Sequence, residues 1–291
     1  MTATRDTPPT APAAPGHAGG WRRHVPNALT LARLGLTVVF VAVLSLYRFP
    51  DVNAWAIPVA LIVFVVAALT DALDGYLARR WNVISVFGRI MDPFADKLLV
   101  LGAFIMLAGV GFATTPLREI GFMLGPTPDL LTGVAAWMVV VILGRELLVT
   151  TIRAVFEGRG IDFSASLSGK LKMIAQSVGV PVILALVMGA EAVYTDPMAA
   201  YARETEARMN QFLDDARADG LDDEAFEELW EQPDTSEMIG WARTAPDAAR
   251  AVRRFAIVST VVAWCITVIT ALSAWPYITR AISALRETPD A

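Results

Sequence analysis

Two aspartates three residues apart close a stretch that is otherwise nearly all hydrocarbon: "AWAIPVALIVFVVAALT" runs into "DALDGYLARR" at 71–80. On a helix at about 100° per residue, Asp71, Asp74, Gly75 and Ala78 fall within an arc of about 100°, with Arg79 at its margin. One face thus sets two carboxylates beside two minimal side chains, which let a ligand or a neighbouring helix approach the backbone. The next segment, "GRIMDPFADKLLV", repeats the device with Asp92 and Asp96. Pro93 is best tolerated in a first turn, so Asp92 is either helical or an N-cap, and in both cases the carboxylates lie one turn apart. A short connection makes the two helices expected antiparallel neighbours, with all four carboxylates converging at one end.

Four negative charges near hydrocarbon repel one another, and each carries a large desolvation cost. They can be protonated, paired with Arg79, Arg80, Arg89 and Lys97, or neutralised by divalent cations. A salt-bridge network has no need of Gly and Ala on the carboxylate face. Oxygen-only donors point to Mg²⁺ or Mn²⁺. Two such ions would balance four carboxylates, and Mg²⁺ commonly shares its sites with substrate phosphates. The chemistry indicated is that of a phosphate-bearing substrate held at a membrane surface.

The elements that must position these groups are membrane helices. Of 291 residues 55% are hydrophobic and 18% charged, against about 45–50% and about 25% in soluble domains. Six runs reach the roughly 20 apolar residues a span requires: 28–47, 54–78, 92–113, 130–157, 167–190 and 252–276. Cys265 is the one cysteine, and His17 and His24 precede the first span, which excludes an intrachain disulfide and argues against a His/Cys metal centre. Residues 1–24 read as a disordered tail rich in Pro, Ala, Gly and Thr, without the apolar core of a signal peptide. Lys and Arg placement sets the orientation. Arg5, Arg22, Arg23, Arg79, Arg80, Arg89, Lys97, Arg145, Arg153, Arg159, Lys170, Lys172, Arg280 and Arg286 fall on one side, leaving Arg48 and Arg118 in the short loops of the other. Both termini and the aspartates are therefore expected in the cytoplasm, as in a bacterial-type inner-membrane protein.

The reading is an all-α integral membrane protein with its catalytic core at 25–190. An acidic extracytoplasmic insertion follows at 191–250, and a last span with a C-terminal tail at 251–291. The insertion holds 16 Asp/Glu and 5 Arg, net −11, in a chain of −5, so the remainder is +6. Its first part has helical spacing up to Gly220, a second short helix is expected in "LDDEAFEELWEQP", and its glycine spacing does not fit a calcium loop. The bland reading of such a charge run is a solvated cap. No nucleic-acid partner is expected.

The stretch 71–96 reads D-x2-D-G-x2-A-R-x8-G-x3-D-x3-D through Asp71, Asp74, Gly75, Ala78, Arg79, Gly88, Asp92 and Asp96. This resembles the signature of the CDP-alcohol phosphotransferases, integral membrane enzymes of phospholipid synthesis. "PNALTLARLG", "DGYLARRWN", "FGRIMDPFADKLLV", "GRELLVTTIR" and "SGKLKMIAQ" are similar to segments of its branch that uses glycerol 3-phosphate. The resemblance covers about residues 25–190 and implies six transmembrane helices, often in a homodimer. Met173, where that branch usually has Thr, and the insertion depart from it.

The resemblance implies transfer of a phosphatidyl group from CDP-diacylglycerol to sn-glycerol 3-phosphate with release of CMP. Asp71, Asp74, Asp92 and Asp96 would hold Mg²⁺ or Mn²⁺, two ions in all. Asp96 would be the general base, with Asp92 as its catalytic neighbour. Asp71, Asp74, Gly75, Ala78, Arg79 and Gly88 would take the cytidine nucleotide. The acceptor needs its own phosphate pocket, for which Arg145, Arg153, Lys170 and Lys172 are the candidates at the ends of helices four and five. Each is also an ordinary positive-inside anchor. Asn27, Thr30 and Arg33 are weaker candidates, with Arg33 equally able to snorkel. The Met residues and Trp55, Trp137, Trp264 and Trp275 read as lipid or interface packing. Competing readings are a cardiolipin synthase or a phosphatidylinositol-phosphate synthase of the same family and, more remotely, a cation transporter. Transport sites usually lie near the bilayer midplane, whereas these aspartates sit at helix ends.

Overall fold

The computed structural model describes residues 24–50, 53–81, 86–115, 118, 128–159, 167–218 and 246–287. They are nearly all helical: α1 (His24–Ser45), α2 (Ala56–Trp81), α3 (Val86–Leu107), a 3-10 turn at Val110–Phe112, α4 (Ala136–Gly158), α5 (Leu167–Ala218), α6 (Pro246–Leu272) and α7 (Trp275–Glu287). The expected tail up to residue 23 lies outside the described residues, as do Gly220 and the expected second insertion helix.

Among the described residues three stretches are long and apolar enough to cross a membrane: Asn27–Ser45, Leu167–Thr195 and Asp247–Ala284. Ala56–Asp71 is a shorter apolar stretch. In α2 and α3 the apolar runs are interrupted by the residues that could do chemistry, Asp71 and Asp74 in one and Asp92 and Asp96 in the other. The bundle is apolar inside and out. Phe40, Ile57, Phe64, Phe104, Leu107 and Ile142 are buried in one core, while Val38, Ile62, Ile105, Val140, Ile174 and Val261 face outward. A helix that is hydrophobic all round suits a lipid solvent.

The short connection between α2 and α3 suggested direct packing, but they touch sparingly, and α1 packs along both. The Phe40 and Phe64 rings meet at 5.7 Å across α1 and α2, and Gly102 of α3 leaves ordinary van der Waals room for Val41 of α1. Asp92 lies within α3, six residues after its start, so it is not the N-cap. Pro93, also inside, deprives the helix of one backbone hydrogen bond.

The largest interface joins α5 and α6. A Cβ on Gly179 would stand 2.2 Å from Ile266 Cδ1, and one on Gly189 would stand 2.8 Å from the Phe255 ring, so small residues set this approach. The expected boundary at 190/191 is not a helix end. From Ala190 to Ala218 the sequence is alanine-rich and free of glycine, and α5 runs on through it. Its 52 residues measure about 78 Å at roughly 1.5 Å each, well beyond a hydrocarbon core of about 30 Å. The residues after 276, read as a tail, fold as α7 beyond a turn at Ser273–Ala274. At the end opposite the aspartates, buried Tyr47 donates its hydroxyl to Glu191 of α5, and its ring lies 5.0 Å from that of Phe112.

Gly133 adopts φ +65°, and a Cβ there would lie 2.3 Å from Thr260 Cα in α6. Gly133→Val is expected to cost about 2–3 kcal/mol through left-handed strain and overpacking. It should lower the melting temperature of the detergent-solubilised protein, whereas Gly144→Ala, in open space within α4, should hold or slightly raise it.

Candidate active site

Asp71 and Asp74 face α1, and the basic group that meets them is one the local sequence does not offer. Arg33 is fully buried, so it does not snorkel. Its Nη1 stands 2.6 Å from Asp71 Oδ1, and its Nη2 donates to Asp74 Oδ2. Asp74 is buried, whereas the Asp71 side chain is 40% exposed. Of the local cations proposed as partners, Arg80 donates to Tyr76 Oη at 2.6 Å and Lys97 to Thr150 Oγ1 at 2.7 Å. The side chains of Ala78, Arg79, Arg89 and Asp92 lie outside the described ones; the backbone there and at Gly75 and Gly88 is helical.

Asp96 joins the pair electrostatically. Its carboxylate feels Asp71, Lys172, Arg33 and Glu146, four groups on four different helices. Asp71 and Asp96 thus share one end of the bundle even though α2 and α3 barely touch. An oxygen-only donor set fits a hard divalent cation. Among the described residues no three acidic side chains form a metal-binding group by themselves.

Beside Asp96 opens a cavity of about 370 Å³. Its wall takes Asp96 and Lys97 from α3, Arg145, Glu146, Val149, Thr150 and Arg153 from α4, Gly169, Lys170, Lys172 and Met173 from α5, and Tyr277 from α7. The four residues read as acceptor-phosphate candidates therefore line a single space together with Asp96. Asn27, Thr30 and Arg33 are not on its wall; Thr30 and Arg33 are buried, Arg33 against the carboxylates. Five cations against Asp96 and Glu146 leave the wall three positive charges in excess.

Glu146 orders these cations. Buried at the α4–α5 contact, it accepts from Lys172 Nζ and lies 3.4 Å from Arg145 Nη1. Arg145 Nε donates to Ser273 Oγ at 2.8 Å, which ties α4 to the turn before α7. Arg153 Nη2 donates to Tyr277 Oη at 3.2 Å. Met173, the departure noted in sequence, lines the cavity. Glu146, Lys97 and Tyr277 escaped the sequence reading as wall residues, as did Ser273 as the partner of Arg145. The only local signal was Glu146 lying nearly on the face of Arg153; Ser273 and Tyr277 arrive from more than a hundred residues away.

Arg33→Met would leave a buried carboxylate without its counter-charge, a loss of about 3 kcal/mol or more. The melting temperature in detergent should fall by several degrees for this variant and hardly at all for Arg80→Met, whose guanidinium is exposed.

Residues 23–201 match the CDP-alcohol phosphatidyltransferase family. Curated relatives include the CDP-diacylglycerol--glycerol-3-phosphate 3-phosphatidyltransferase of Bacillus subtilis, 38% identical over 169 residues that cover 55% of this chain and 76% of that protein. The probable phosphatidylglycerophosphate synthase of Mycobacterium tuberculosis is 37% identical over 154 residues, 53% of this chain and 62% of its own length. The CDP-diacylglycerol--glycerol-3-phosphate 3-phosphatidyltransferase of Rickettsia typhi is 31% identical over 174 residues, covering 60% and 83%. The similarity thus spans between about three fifths and four fifths of these relatives, and the family match ends at residue 201, before α6 and α7. With the aspartate signature of α2 and α3 inside the matched span, the chain belongs to the CDP-alcohol phosphatidyltransferase family.

Proposed function

We propose that this protein transfers the phosphatidyl group of CDP-diacylglycerol to sn-glycerol 3-phosphate, releasing CMP and forming phosphatidylglycerophosphate in phospholipid synthesis. The observation that carries the reading is the cationic cavity opening directly beside Asp96. A phosphate monoester brings close to two negative charges at neutral pH, and the wall has three positive charges to spare. A lipid acceptor such as phosphatidylglycerol would have no use for it. An inositol phosphate would fit the same charge, and the names of the relatives favour glycerol phosphate over it.

The bond changes are one formed and one broken. The primary hydroxyl of the acceptor attacks the phosphorus bearing diacylglycerol, in line with the pyrophosphate oxygen that departs with CMP. Asp96, lying between the carboxylate end and the cavity, takes the hydroxyl proton. Asp71, Asp74 and Asp92, with Asp96, would hold Mg²⁺ or Mn²⁺, two ions that supply charge neutralisation at the pyrophosphate when bound. The helical backbone at Gly75 and Gly88, with Ala78 beside it, gives the cytidine nucleotide close access, and Arg79 binds its phosphate oxygens. Arg145, Arg153, Lys170 and Lys172 orient the acceptor phosphate. Positioning and fixed charge do most of the work in such a transfer.

The enzyme is an integral membrane protein with six spans, both termini and the site at the cytoplasmic face, and the acidic stretch on the other side. The Lys/Arg distribution supports this orientation.

Mass spectrometry of products from purified protein, CDP-diacylglycerol and each acceptor in turn tests the assignment. Phosphatidylglycerophosphate is expected with glycerol 3-phosphate, and product only with phosphatidylglycerol or an inositol phosphate would overturn it. Asp92→Asn and Asp96→Asn should each lower kcat by at least about 100-fold while the protein still inserts in membranes. Chelation of divalent ions should abolish turnover, and Mg²⁺ or Mn²⁺ should restore it.

A further inference from the structure

The cationic cavity is lined in part by a residue from outside the span that matches the family. Tyr277 lies on α7, beyond residue 201, yet it is 2% exposed and forms part of the wall. The Cζ atoms of Arg145 and Arg153 stand 6.0 and 5.6 Å from its ring centroid, both within cation–π range. Two arginines eight positions apart on α4 thus bend toward one aromatic ring.

Their other restraints are unequal. Arg145 is also held by Ser273 and Glu146. Arg153 has Glu157 at 3.9 Å, too long for a hydrogen bond, and its Nε is buried with no hydrogen-bond partner among the described residues. The direction of the Arg153 guanidinium therefore depends on the Tyr277 ring and hydroxyl. Tyr277 is itself fixed in a small core with Val149, Phe156, Ala274 and Ala281, so α7 is seated firmly against α4. Long side chains lose considerable rotamer freedom when they grip an anion, and a preset orientation reduces that loss.

We propose that Tyr277 is a positioning residue for the phosphate of the acceptor: it holds the guanidiniums of Arg145 and Arg153 converged on the cavity, so the C-terminal helix sets acceptor affinity. This rests on reading the cavity as the acceptor-phosphate site. The hydroxyl accepts from Arg153 and the ring attracts both guanidiniums. Phenylalanine can do only the second, and leucine neither.

Full-length protein in detergent, with Tyr277→Phe and Tyr277→Leu, provides the test. Tyr277→Leu should raise KM for glycerol 3-phosphate about tenfold, leaving kcat and KM for CDP-diacylglycerol within about twofold. Tyr277→Phe should recover most of that loss. Independently of turnover, inorganic phosphate should raise the melting temperature of the wild type and much less that of Tyr277→Leu. An unchanged acceptor KM and phosphate shift in Tyr277→Leu would overturn the proposal, as would a parallel rise in both KM values. Should glycerol 3-phosphate give no product while the phosphate shift is still lost in Tyr277→Leu, the acceptor assignment fails and the positioning role stands. Absence of any phosphate shift in the wild type sinks the role. If Tyr277→Leu does not fold, a double-mutant cycle of Tyr277→Phe with Arg153→Lys decides. Coupled effects on acceptor KM support the role, and additive ones overturn it.

Discussion

A carboxylate beside hydrocarbon needs a compensating charge, and Asp71 and Asp74 take theirs from a guanidinium on another helix. Arg33 reaches both from α1, which is possible because α1 lies against α2 and α3 rather than outside them. The price of burying an arginine fully in a membrane bundle is high unless its partners are ionised and close. That requirement pins the axial position of α1 against α2 and hence the depth at which the aspartates sit. Asp96 is then presented from α3 to the same end.

Charge is balanced differently a few residues away. The cavity beside Asp96 concentrates Arg145, Arg153, Lys170, Lys172 and Lys97, and a single buried Glu146 keeps Lys172 and Arg145 from repelling one another. One side of Asp96 is thus acidic and the other basic. Such a division suits the proposed transfer, in which a pyrophosphate and an anionic acceptor must meet without sharing a subsite, since like charges would otherwise hold the reactants apart. The basic side is built by α3, α4 and α5 with Tyr277 of α7, so it draws on the part of the chain that the family match does not reach as well as on the part that it does.

Much of the site was legible in the spacing of residues. The D-x2-D and D-x3-D intervals place carboxylates on one helical face whatever surrounds them, because the helical period is local. The cluster of basic residues at the ends of helices four and five was equally visible as positive-inside charge. What could not be read was which cation met which carboxylate. Arg79, Arg80, Arg89 and Lys97 were near in sequence, but Arg80 turns to Tyr76 and Lys97 to Thr150, while Arg33 comes from 38 residues before Asp71.

By itself, then, the order of amino acids determined the helical, membrane-spanning character of this protein and the faces that carry its acidic groups, since hydrophobic run length and helical periodicity act over short stretches of chain. The tertiary structure decided the rest: α1 between α2 and α3, the unbroken course of α5 past residue 190, the helix in place of a C-terminal tail, and Tyr277 in the wall of the cavity. Apart from the course of α5, which its local composition favours, each of these depends on packing between segments far apart in the chain, where burial of one side chain is settled by the shape and charge of another that no local pattern encodes.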